Sequence, residues 1–144
     1  MSRSGALDRI DALLSEITDP PFVGVIRAEP LALAGTPVVC FWISGRQDRY
    51  ETLGDIGSTT TIMIRAYWRL QSSRVIQEAV ELDIWDAAVN IDSKLRSDAN
   101  LAGNVTDSRV GAGSVQIEQV GDAFYRSLTV PFEMDIYGEI TITP

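Results

Sequence analysis

Thr61-Ile62-Met63-Ile64-Arg65-Ala66-Tyr67-Trp68-Arg69-Leu70 is the stretch on which the fold turns. Ile62, Ile64, Ala66, Trp68 and Leu70 share one face, and Thr61, Met63, Arg65, Tyr67 and Arg69 share the other. A period of two is the signature of a strand with one face on a core. The second face is not purely polar, so the alternation also predicts a partner layer or partner subunit there. Ser72 and Ser73 then offer N-caps for a helix over about 74–96. At 100° per residue its apolar residues fall into two arcs. One holds Ile76, Val80, Ile84, Ala87, Ala88, Ile91 and Leu95; the other holds Val75, Ala79, Leu82, Trp85 and Val89. A helix packed only on its own sheet needs one such stripe. The surplus arc predicts a second helix alongside or a contact with another subunit.

Upstream, Leu7, Ile10, Leu13, Leu14 and Ile17 line one side of a shorter helix, with Ser4 as its N-cap and Asp19-Pro20-Pro21 as its stop. Phe22 to Ala28 reads as a short strand. Val38 to Ile43 reads as a second, apolar on both faces and therefore interior to a sheet. Residues 44–58, rich in glycine and charge, predict a long mobile loop, a feature that in a compact domain is usually functional or disordered.

Downstream, residues 97–114 read as an irregular link containing Gly103, Asn104, Asp107, Gly111 and Gly113. Val115, Ile117 and Val120 begin a strand, Gly121-Asp122 is a turn, and Phe124 to Ile136 is the clearest strand in the chain. Pro131 within it predicts an edge position or a bulge, because proline cannot donate to a ladder. Ile140-Thr141-Ile142-Thr143 extends the sheet or pairs with a neighbour. The resulting fold class is α+β: a mostly antiparallel β-sheet with two α-helices packed on one face, in a single domain over 1–144.

Composition narrows the chemistry. Histidine is absent and Cys40 is the only cysteine, so the usual zinc, iron–sulfur and haem ligand sets and the histidine-based triads are excluded. Cys40, inside an apolar strand, reads as an inert hydrophobe. Twelve basic residues against twenty acidic ones leave a net charge of −8, the wrong sign for avid binding to DNA or anionic lipid. No apolar run is long enough to span a membrane. The N-terminus lacks the continuous apolar stretch of a signal peptide, so a cytoplasmic start is expected. The carboxylate pairs Asp8/Asp11, Glu78/Glu81, Asp83/Asp86 and Glu133/Asp135 sit at helix or strand spacings that fit solvated faces better than catalysis. Neither Gly54-Asp55-Ile56-Gly57-Ser58 nor Gly111-Ala112-Gly113-Ser114 has the form of a phosphate loop. No enzyme activity, metal or cofactor is expected.

From about residue 6 to 138 the chain resembles the tail terminator family of long-tailed bacteriophages, also called minor tail or tail-completion proteins. The resemblance lies in the order and spacing of several segments: the helix Ala6–Leu14; Thr36-Pro37-Val38-Val39-Cys40-Phe41-Trp42-Ile43-Ser44-Gly45; the strand Thr61–Trp68; the long helix from near Val75; the link Leu95–Leu101; and the closing arm Leu128–Tyr137. The chain departs from the pattern in its longer tail beyond Ile136.

The resemblance implies a hexameric ring that caps the tail tube at its head-proximal end, stops polymerisation and provides the surface for head joining. It implies as partners further copies of the chain, the tail-tube protein and a head-connector protein, with genome DNA only passing through the lumen and no membrane contact. Assembly would take place in the host cytoplasm. Arg46, Asp48, Arg49, Tyr50, Glu51 and Asp55 are the candidate contacts to tube or ring, because a mobile polar loop can order on docking. Met63, Arg65, Tyr67, Leu82, Trp85 and Val89 are the candidate subunit interface. A head-side connector or stopper, a tail-tube-like ring protein, and a small ligand-binding or enzymatic α+β domain are the competing readings.

Overall fold

A computed structural model describes residues 3–52 and 55–141, with side chains outside 49–56 and 137–141. Its elements are α1 (Arg3–Ser15), β1 (Val25–Ile26), β2 (Val38–Thr52), β3 (Asp55–Arg69), α2 (Arg74–Arg96), β4 (Asp107–Val110), β5 (Ser114–Val120) and β6 (Ala123–Thr141). The sheet order is β1-β2-β3-β6-β4, with β5 also on β6. All pairings are antiparallel except the two-residue β1 on β2. The chain is therefore an α+β domain with both helices on one face of a mostly antiparallel sheet.

The alternation of Thr61–Leu70 sets that layering. Ile62, Ile64, Ala66 and Trp68 turn inward with Val39 and Phe41 of β2 and with Leu128, Val130, Phe132, Met134 and Ile136 of β6. Ala6, Ile10, Leu13 and Leu14 of α1 and Val80, Ile84, Ala87, Ile91 and Leu95 of α2 close over them. Each large side chain fully buried in this way contributes about 1.5–3 kcal/mol. The helix signals hold at α2: the Ser73 hydroxyl accepts from the Ile76 N–H, and Lys94 and Arg96 in the last turn complement the helix dipole. At α1 the expected cap is displaced, since Arg3 already lies in the helix and Ser4 is its second described residue.

Several expectations change. The segment 44–58 is not a loop: β2 and β3 pair antiparallel from Val38↔Tyr67 out to Thr52↔Asp55, with register shifts near Gly45 and Tyr50. Leu53 and Gly54 lie outside the described residues. Strand pairing satisfies the backbone here, so apolar alternation is not needed to hold the arm. The strand expected over Phe22–Ala28 contracts to Val25–Ile26. The irregular link is interrupted by β4, which Arg109 fastens by bonds to Asp135 (2.7 Å) and Glu133 (2.9 Å) on β6.

Pro131 lies on an interior strand, not an edge, since β6 has β3 on one side and β4 and β5 on the other. It falls at the break between β4 and β5, where Gly111 donates its N–H to the Pro131 carbonyl. A Cβ at Gly111 would come within 2.7 Å of the proline ring, so glycine is required for this close approach. Strand β6 reaches Thr141; Ile142 and Thr143 lie outside the described residues.

The opposite face of the sheet is covered by the chain itself. Leu33, from the segment between β1 and β2, packs with Val38, Cys40, Tyr67, Val120 and Tyr125. Gly121 turns β5 into β6 at φ +62°, close under the Leu31 carbonyl.

Candidate functional site

The two arcs of α2 have different fates. The arc Val80, Ile84, Ala87, Ile91 and Leu95 is buried, whereas Leu82 is 70% exposed, Trp85 73% and Val89 54%. Val75 and Ile76 at the start of the helix are also exposed, so Ile76 departs from the arc in which its spacing put it. Helix α1 packs beside α2 without reaching this outer stripe: Asn90 donates to the Asp19 carbonyl and Lys94 pairs with Glu16 on the α1 side, and the stripe faces away.

On its other flank α2 borders a groove of about 450 Å³, lined by Trp85, Ala88 and Val89 on the helix, Val130 on the floor, and Val110 to Gly113 on the far wall. Along the same face the sheet continues uncovered. Val115 lies opposite Leu128 and Ile117 opposite Arg126, so both point to the helix side, and Ile117 is 58% exposed. Leu82, Trp85 and Val89 on the helix and Val115 and Ile117 on the strand are thus exposed on the same side of the sheet, with the Arg126–Glu81 ion pair at 2.9 Å beside Ile117. The sequence placed Val115 and Ile117 on a strand; which elements would fail to cover them depends on how far α2 reaches across the sheet, and no local pattern carries that.

The other half of the expected subunit interface lies across the sheet. Tyr67 is 1% exposed and stacks edge-on against Tyr125 at 6.1 Å between centroids. Burial raises its hydroxyl pKa. Contact with another subunit through Tyr67 would require opening the domain, so that assignment is withdrawn. Arg65 is engaged at home: its Nε donates to Thr129 Oγ1 at 2.8 Å and its guanidinium lies 5.4 Å from the Trp42 ring centroid. Met63 is half-buried.

Of the candidate tube contacts, Arg46 and Asp48 pair with each other at 2.9 Å on the β2–β3 arm. The side chains of Arg49, Tyr50, Glu51 and Asp55 lie outside the described residues.

The carboxylate pairs mostly serve arginines. Asp8 and Asp11 both hold Arg27, at 2.6 and 2.7 Å. Glu78 pairs with Arg74 and Glu81 with Arg126. Asp135 and Glu133 hold Arg109 and raise its pKa, with Asp135 the stronger influence, and Asp135 also accepts from Thr59 at 2.7 Å. Asp83 differs: burial, then Asp19 and Asp86, raises its carboxyl pKa. Desolvation raises the Cys40 thiol to about 11, which keeps it protonated and unreactive at neutral pH.

No protein-family model matches the chain, and no curated protein matches it in sequence. No helix among the described residues is both long and apolar enough to cross a membrane.

Proposed function

We propose that this chain is a structural protein of virion assembly, forming a hexameric ring that caps the tail tube of a long-tailed bacteriophage. The ring ends tail polymerisation and offers its free face to the head connector. One observation carries the reading: Leu82, Trp85 and Val89 on the outer stripe of α2, and Val115 and Ile117 on β5 of the same sheet face, leave large apolar side chains open. Monomeric soluble proteins rarely expose more than a few hundred Å² in one patch, and larger patches mark interaction sites. The order and spacing of segments that resemble the tail terminator family select the kind of assembly.

Within this reading Leu82, Trp85 and Val89 belong to the contact between subunits. The β2–β3 arm, with Arg46, Asp48, Arg49, Tyr50, Glu51 and Asp55, is the element offered to the tube. A long antiparallel arm can reach a neighbouring ring without unpacking the core. The net charge of −8 suits a channel through which DNA phosphates must pass without binding.

Inactivating the gene in its phage tests the role. Electron microscopy of the lysate is expected to show filled heads separated from tails of irregular, excessive length. Normal-length tails joined to heads in the mutant would rule the function out.

A further inference from the structure

We draw no further inference here: the strongest candidate, the groove of about 450 Å³ between α2 and the Val110–Gly113 wall with Trp85 and Val89 exposed on its helix side, carries nothing beyond the reading above, because nothing in the structure shows what covers it.

Discussion

Two apolar arcs run along the same helix with opposite fates. The arc through Ile84 and Ile91 sits over Ile62, Ile64 and Val130 and shares their core, while the arc through Leu82, Trp85 and Val89 meets solvent. Both repeat at helical spacing and both carry large side chains, so hydropathy alone does not rank them. What separates them is the width of the sheet beneath and the position of α1, which occupies one flank of α2 and leaves the other to the groove. The inner arc belongs to the fold; the outer arc is left open by it.

Substitutions should break that contrast in a definite order. Ile91→Ala empties a site that is fully buried between helix and sheet, and chemical denaturation should register a loss of about 2–5 kcal/mol. Arg109→Met comes next. It leaves Asp135 near the core without its cation and loosens β4, the strand that leads into the groove wall; because Arg109 is itself half exposed, the expected loss is about 1–2 kcal/mol in the same assay.

The contrast between the two sheet faces can be sharpened with pH. The Cys40 thiol ionises near its ordinary value of about 9 when unfolded and near 11 when folded. The folded state therefore binds the proton more tightly. Its contribution is complete below pH 9 and declines as pH rises through that window, by about 1 kcal/mol at pH 10. Denaturation curves of wild type and Cys40→Ala should draw together over this range. A difference independent of pH would mean that the Leu33–Tyr125 layer does not seal this face. Smallest of all is Trp85→Ala, which should leave the unfolding free energy of the monomer within about 0.5 kcal/mol of wild type. A large loss there would mean that the outer arc supports the fold after all.

The sequence carried most of the layering and part of the surface. Strict alternation at Thr61–Leu70 and Phe124–Ile136, and 3.6-residue spacing from Val80 to Leu95, are produced directly by burial on one side. The β2–β3 arm was hidden for the converse reason. Beyond Ile43 β2 carries Ser44, Gly45, Arg46, Gln47 and Asp48, and the buried face of β3 opposite is made by Ser58 and Thr60, small polar residues that leave no hydrophobic period to read. Tyr67 misled in a different way. Its face carries Arg65 and Arg69 and so resembles a surface, yet the segment after β1 folds across it, a contact between residues too far apart in sequence for local pattern to indicate. Strand β4 is only four residues long, and its hold on β6 depends on Arg109 meeting carboxylates more than twenty positions away.

Mass measurement of the purified full-length chain, with the Leu82→Asp/Trp85→Asp variant beside it, tests the central claim most directly. The account predicts a six-chain species for the wild type and a folded monomer for the variant, with the two unfolding at nearly the same denaturant concentration. An identical mass for both proteins across the whole concentration range would contradict it.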